Sequence, residues 1–206
     1  MEMQNLTPGG YAGNCYLVTQ NETAVLIDCT VSAAVLTEAL RERHARLAAI
    51  LLTHAHFDHM LTTQAVKAAT GAKIYLAEGD KDLPKDGEKN AFSVFFGYDK
   101  TYPSADHLFA HGDTLIFGEL TFRVMCTPGH TRGSSLFLID DIAFTGDTLF
   151  AAGYGRYDLF GGDAAALRQS LGHIAALPAD TTIYPGHGEP AKLGAALATI
   201  GSFIEF

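Results

Sequence analysis

Apolar positions in this chain recur every second residue in some stretches and every third or fourth in others, and the changes of period outline its elements. Residues 16–19 and 23–28 are apolar, β-branched runs separated by Gln20-Asn21-Glu22, which predicts a hairpin. Ser32 is the expected cap of a helix to about His44, with Val35, Leu36, Ala39 and Leu40 on one face. Residues 47–53 read as a strand, 62–70 as a helix closed by Gly71, and 73–76 as a short strand. The β pattern returns after Gly112-Asp113, at residues 114–117, 120–126, 135–139 and 142–144. Gly118-Glu119 and Asp140-Asp141 supply the tight turns between them. Asp163 is expected to cap a helix to about Leu177, residues 182–184 form a last strand, and 192–206 a final, mostly apolar helix.

Strands thus fall into an N-terminal and a C-terminal half, each closed by helices. No linker, repeat or low-complexity tract interrupts them. This predicts one α/β domain over residues 1–206, a four-layer αββα arrangement with two sheets face to face. Residues 78–107 break the pattern, first charged (Asp80, Lys81, Asp82, Lys85, Asp86) and then aromatic (Phe92, Phe95, Phe96, Tyr98, Tyr102). The spacing of Phe92, Phe95 and Phe96 predicts a short amphipathic helix, either packed on the domain or walling a site.

Composition narrows the function. The chain has 206 residues, 48% hydrophobic and 18% charged, with a net charge of −9. An acidic surface argues against nucleic acid and against anionic membranes as partners. Cys15, Cys29 and Cys126 are odd in number and widely spaced, which suits buried thiols in a reducing compartment. With no signal-peptide pattern and no apolar run of membrane-spanning length, the expected location is the cytoplasm.

The chemistry concentrates in Thr53-His54-Ala55-His56-Phe57-Asp58-His59, directly behind the apolar run Ile50-Leu51-Leu52. In an extended segment His54 and His56 face the same way and can grip one ion. Asp58 and His59 begin the next turn and point towards a second. Three further strand ends carry metal-competent side chains after a glycine or proline: Pro128-Gly129-His130, Gly146-Asp147 and Pro185-Gly186-His187. Five histidines and two aspartates are thereby expected at one sheet edge. Asp147 is the best bridge, because a carboxylate offers two oxygens. His44, His107, His111 and His173 lie outside these loops. Asp28, at the end of its strand, is expected either to hydrogen-bond a ligand histidine or to be a simple turn residue.

With these motifs, His54-Ala55-His56-Phe57-Asp58-His59, Thr127-Pro128-Gly129-His130-Thr131, Gly146-Asp147-Thr148-Leu149-Phe150 and Pro185-Gly186-His187-Gly188, the chain resembles the metallo-β-lactamase-fold hydrolases. The resemblance runs from the first hairpin to His187. It implies an αββα sandwich with His54, His56 and His130 on one metal, Asp58, His59 and His187 on a second, and Asp147 between them. Gly153-Tyr154-Gly155-Arg156-Tyr157-Asp158 resembles the single-domain glyoxalase II-like branch. β-Lactamases of this fold commonly carry cysteine where Asp147 stands, which argues against antibiotic hydrolysis. The RNA-processing members carry basic surfaces, which this acidic chain lacks.

The expected cofactors are two divalent ions, zinc first, with iron or manganese also compatible with the ligands. A hydroxide bridging them would attack an acyl carbonyl, with Asp58 as the catalytic residue that orients it. The expected substrate is a small-molecule thioester, S-acyl-glutathione-like (for example S-lactoylglutathione), or a related ester. Only about 19 residues follow His187, too few for the helical domain that grips glutathione in two-domain relatives. Arg156, Tyr154, Phe95 and Phe96 are the expected substrate-binding residues; Arg156 would hold a carboxylate or pair with Asp158 or Asp163. A homodimer contact is expected if the exposed face of the aromatic segment is apolar. The rival activity is a mononuclear iron persulfide dioxygenase, which shares the Gly-Arg-x-Asp stretch but departs from the form of Pro185-Gly186-His187-Gly188. A non-catalytic binding module would not need all seven ligands.

Overall fold

Val25 and Ile27 alternate along one strand with Ala24 and Leu26, and both pairs are buried. A strand apolar on both faces must lie between two layers. The computed structural model describes residues 1–204, with side chains through Phe203, and gives these layers. β1 (Glu2–Asn5), β2 (Tyr16–Gln20), β3 (Thr23–Ile27), β4 (Arg46–Leu51), β5 (Lys73–Ala77) and β6 (His107–Phe109) form one sheet, in that order. β7 (Thr114–Phe117), β8 (Leu120–Cys126), β9 (Ser135–Ile139), β10 (Ile142–Gly146), β11 (Thr182–Pro185) and β12 (Ala191–Lys192) form the second, also in sequence order.

Val25, Ile27, Ala49 and Leu51 of the first sheet meet Phe122, Phe137 and Phe144 of the second in a shared core. Truncating one such buried phenylalanine costs about 3–5 kcal/mol. The opposite face of the first sheet, with Leu26, Ile50 and Ile74, packs on α1 (Ala33–Glu42) and α2 (Thr63–Thr70) through Leu36, Leu40 and Val66. The outer face of the second, with Leu138 and Ile183, packs on α4 (Ala164–Ile174) and α5 (Leu193–Ala198) through Leu167, Leu171 and Leu193. The architecture is therefore the expected αββα sandwich.

Strand direction places the site. β3, β4, β5 and β6 run parallel to one another. β10 and β11 are also parallel, and β8 runs the same way because both it and β10 oppose β9. Within each sheet these C-terminal ends share one edge, and the loops leaving them meet. Thr53 O, for example, accepts from Ser135 N of the other sheet at 2.9 Å.

Three strands have no counterpart in the sequence pattern: β1, β6 and β12. All three are edge strands of two to four residues. Edges are kept short and polar, so their alternation is too brief to read. The single helix expected over 192–206 is instead two, α5 and α6 (Gly201–Ile204), with Gly201, a poor helix former, at the break; residues 205 and 206 lie outside the described residues. Val35, expected on the buried face of α1, is 52% exposed. It sits one position from Leu36, about 100° around the helix, while Leu36, Ala39 and Leu40 make the buried stripe. The aromatic stretch does form a helix, α3 (Phe92–Phe96). Among the described residues no helix is long and apolar enough to cross a membrane.

Candidate metal centre

β3 leads directly into Asp28, a residue with φ of +56°, in the left-handed region that aspartate tolerates better than most. That backbone turns the carboxylate inward, where it is 2% exposed. It accepts from Thr53 N at 2.8 Å, Thr53 Oγ1 at 2.9 Å and His59 Nδ1 at 2.7 Å.

These contacts fix the histidine tautomers. A carboxylate only accepts, so His59 Nδ1 carries the proton and Nε2 points into the site. The Thr53 hydroxyl gives its proton to Asp28 and accepts from His54 Nδ1 at 3.2 Å, so His54 Nε2 also points inward as a bare acceptor. His130 Nδ1 donates to the Arg156 carbonyl at 2.7 Å, with the same result. The inward nitrogens then crowd together. His130 Nε2 lies 3.3 Å from His54 Nε2 and 2.9 Å from His56 Nδ1. At most one of these contacts can be a hydrogen bond. Converging lone pairs of this kind call for a cation.

Asp147 stands at the centre. Its Oδ1 is 3.3 Å from His59 Nε2, and its Oδ2 is 3.7 Å from His130 Nε2 and 3.6 Å from His187 Nε2. Asp58 Oδ2 is 3.1 Å from His187 Nε2. The seven predicted residues are thus all brought together: His54, His56 and His130 converge, Asp58, His59 and His187 converge, and His54 and His59 also converge with Asp147. His59 Nε2 and Asp147 Oδ1 are buried yet neither has a hydrogen-bond partner, so their approach is electrostatic only. Such buried orphans fit a bound metal.

The electrostatics agree. Burial and the neighbouring imidazoles push His56 down to about 3 and His54 well below its ordinary value, so both stay neutral and free to ligate. Burial opposes a charge on His59 too, but Asp28, Asp147 and Asp58 outweigh it and hold it well above its ordinary value. Burial works against a charge on Asp147, yet His59, His54 and His130 hold its carboxyl well below the usual range. These carboxylates call for positive charge beside them, which a cation at His59 Nε2 would supply. Gly186 makes room: a Cβ there would lie 2.1 Å from Asp147 Oδ1 and 2.7 Å from His59 Cε1.

Asp80 is a structural participant that sequence reasoning missed. It is fully buried, on the turn that follows β5. Its carboxylate accepts from Ala55 N at 3.1 Å, Thr131 Oγ1 at 2.8 Å and Gly133 N at 2.7 Å. It therefore ties the His54–His56 loop of one sheet to the His130 loop of the other. In the sequence it is one acidic residue among several charged ones, and only its position after a strand end could have singled it out.

The cavity beside this cluster has a volume of ≈ 370 Å³. His56, Asp58, His130, Asp147 and His187 form its floor, and Tyr11, Phe57, Phe95, Phe96, Leu159 and Arg156 stand around it. Phe57, between two predicted ligands, anchors the aromatic segment: its ring centroid is 5.4 Å from Phe92, 5.8 Å from Phe95 and 5.5 Å from Phe96. Arg156 reaches the cavity with its guanidinium engaged by Asp158 through two hydrogen bonds, at 2.7 and 2.8 Å. Asp163 instead caps α4. Tyr154 does not line the cavity. Its ring stacks on Phe203 at 4.0 Å, because the bridge from Tyr154 to Leu149 turns it towards the C-terminal helices. His44, His107, His111 and His173 are all exposed, away from the cluster.

Residues 8–187 match the model of the Metallo-beta-lactamase superfamily, and the chain belongs to that family. It is 30% identical to the probable metallo-hydrolase YqgX of Bacillus subtilis, over 91% of this chain and 90% of that protein. It is 38% identical to a hydroxyacylglutathione hydrolase of Cereibacter sphaeroides, over 87% of this chain but 62% of that protein's length. Among solved structures, the B3 metallo-beta-lactamase BLEG-1 superposes with a TM-score of 0.89 at 33% identity, covering 96% of this chain and 97% of that one. TTHA1623, solved in a di-iron-bound form, gives 0.83 at 34% identity, over 95% and 98%.

Proposed function

We propose that this chain is a metal-dependent hydrolase of thioesters or related esters. In this reading His54, His56 and His130 hold one divalent ion, Asp58, His59 and His187 a second, and Asp147 lies between them. The observation that carries it is the crowding of His54 Nε2, His56 Nδ1 and His130 Nε2, while hydrogen bonds at the far nitrogens of His54 and His130 turn their lone pairs inward. Two divalent ions held there would lower the pKa of a shared water and polarise an acyl carbonyl.

The chain's own residues do the rest. Asp58 Oδ2 is engaged by His187, which leaves Oδ1 to accept a hydrogen bond from the attacking water and orient it. Asp28 and Thr53 keep the rings of His59 and His54 in the required tautomers. Phe57, Phe95 and Phe96 exclude water and seat the acyl or thiol arm. A thiolate leaving group needs little protonation, so a thioester suits a site whose residues offer no obvious general acid. The similarity to hydroxyacylglutathione hydrolases supports this substrate class. Cys15, Cys29 and Cys126 are free thiols, which supports a reducing compartment such as the cytoplasm.

Metal analysis of freshly purified protein, coupled to a thioester assay, tests the reading. Two divalent ions per chain are expected, with cleavage that chelation abolishes and metal restores. Metal-loaded protein that leaves every thioester and ester intact overturns it. A β-lactam belongs in the panel because of the likeness to BLEG-1; faster turnover of it than of any thioester would move the substrate class. The likeness to the structure of ETHE1 from Myxococcus xanthus, with a TM-score of 0.83 at 26% identity over 99% of this chain and 85% of that one, supports a second reading, the mononuclear iron persulfide dioxygenase. Oxygen consumption with a persulfide, by iron-loaded protein, identifies that activity.

A further inference from the structure

Among the described residues that line the cavity, Arg156 is the only lysine or arginine. The Nε–Nη2 edge of its guanidinium is taken by the Asp158 carboxylate. Its guanidinium carbon Cζ lies over the Phe95 ring, 5.8 Å from the centroid. The nearby lysines are turned elsewhere: Lys89 lies over Phe160 and Lys100 over Phe92 and Tyr102. The wall itself is aromatic and largely open, with Tyr11 61%, Phe95 55% and Phe96 42% exposed. Tyr11 and Phe96 meet edge to face at 5.8 Å, and Phe57 meets Phe96 the same way at 5.5 Å. Rings so arranged present faces and edges to a further ring.

Resting on the hydrolase reading above, we infer that the substrate arm seated on this wall is uncharged, apolar and of aromatic size, and that Asp158 sets this preference by cancelling the charge of Arg156. Arg156 and Asp158 are both largely exposed, so their pairing is not a strong bond. The cancellation matters more. A carboxylate on the substrate that approaches Arg156 also approaches Asp158, and the repulsion offsets the attraction. Such an anion would then lie against phenylalanine rings with only a charge-balanced arginine to meet it. The peptide thiol of S-acyl-glutathione, which carries carboxylates, fits this wall less well than a benzyl or phenyl group.

Two series of thioesters test the inference on the metal-loaded protein. One keeps a small acetyl group and varies the thiol between benzyl mercaptan and glutathione. The other keeps a small neutral thiol and varies the acyl group between phenylacetyl and succinyl. Non-cleavable thioether analogues of the same pairs are titrated by calorimetry, so that affinity is read separately from turnover. The aromatic member is expected to win by about tenfold or more in at least one series, the discrimination an apolar pocket gives, and the anionic member in neither. Asp158→Asn, at an exposed position, should raise relative affinity for the anionic member and narrow the ratio. Equal affinity, or preference for the anion in either series, overturns the apolar arm; an unchanged ratio in Asp158→Asn overturns the role of Asp158. Apolar preference in binding with no cleavage anywhere would sink the hydrolase reading alone.

Discussion

His59 Nδ1 lies 2.7 Å from Asp28 Oδ2, a contact between the end of one strand and the loop after the next, sealed from solvent on both sides. The carboxylate selects the tautomer that leaves His59 Nε2 facing Asp147. Asp28→Asn keeps a residue that accepts the left-handed backbone but removes the charge and one acceptor. It should weaken metal binding about 10–100-fold. Competition with a chromophoric chelator measures this, and unchanged affinity would reduce Asp28 to a turn residue.

Asp147→Asn tests the centre of the cluster. An amide is neutral and a poor bridge between cations. Metal content should fall to one ion per chain or none, and thioester cleavage should disappear. A variant that kept two ions and normal turnover would remove Asp147 from the site.

Asp80 touches none of the seven ligand side chains, yet it accepts from backbone on both ligand loops. Asp80→Asn places an NH₂ against a backbone N–H donor and leaves one buried donor unpaired, a cost of about 1–3 kcal/mol. A lower melting temperature is expected, together with weaker binding of the ion assigned to His54, His56 and His130. Thr131→Val removes one of the three donors and should act in the same direction more mildly. Equal loss at both ion positions would point to general destabilisation instead.

Phe95 and Phe96 stand on the cavity wall with their rings half exposed, so truncation should leave the fold intact. Phe95→Ala or Phe96→Ala should raise KM for a bulky thioester more than for a small one, at constant metal content. A thermal melt run beside the kinetics separates this from simple packing loss: a lower Tm with an unaltered selectivity ratio would count against the wall.

Thiol reactivity offers a check on burial. Desolvation pushes Cys15 up to about 11 and raises Cys29 and, in its half-buried position, Cys126. Only the thiolate reacts. Alkylation of the native protein near pH 8 should spare Cys15 and Cys29, whereas all three cysteines react in denaturant. Rapid labelling of Cys15 in the folded protein would contradict its full burial.

The seven clustered residues were legible because each follows an apolar run and a turn, a pattern that repeats along the chain. The interior strands were legible for the same reason, since burial on both faces makes them continuously apolar. What escaped were features whose meaning is spatial. β1, β6 and β12 are too short to show a period. Asp80 looks like any other charge in a charged stretch until Ala55, 25 positions earlier, and Thr131 and Gly133, 51 and 53 positions later, fold against it. Tyr154 and Arg156 sit two positions apart in one motif, yet only Arg156 reaches the cavity. Nothing in the sequence tells that Phe203 takes the tyrosine, or that Asp158 and not Asp163 takes the arginine.

The chain passes from one sheet to the other once, between Phe109 and Thr114. Everything before that crossing supplies His54, His56, Asp58 and His59; everything after it supplies His130, Asp147 and His187. Neither half owns a complete coordination shell. An ion held there acts as a rivet through the seam, so on the proposed reading the free energy of metal binding is also free energy of joining the halves. Melting temperature should then climb with free metal concentration. Two fragments severed at the crossing would pair through the shared apolar core, the ion should tighten that pairing, and the return of hydrolysis would report their reunion.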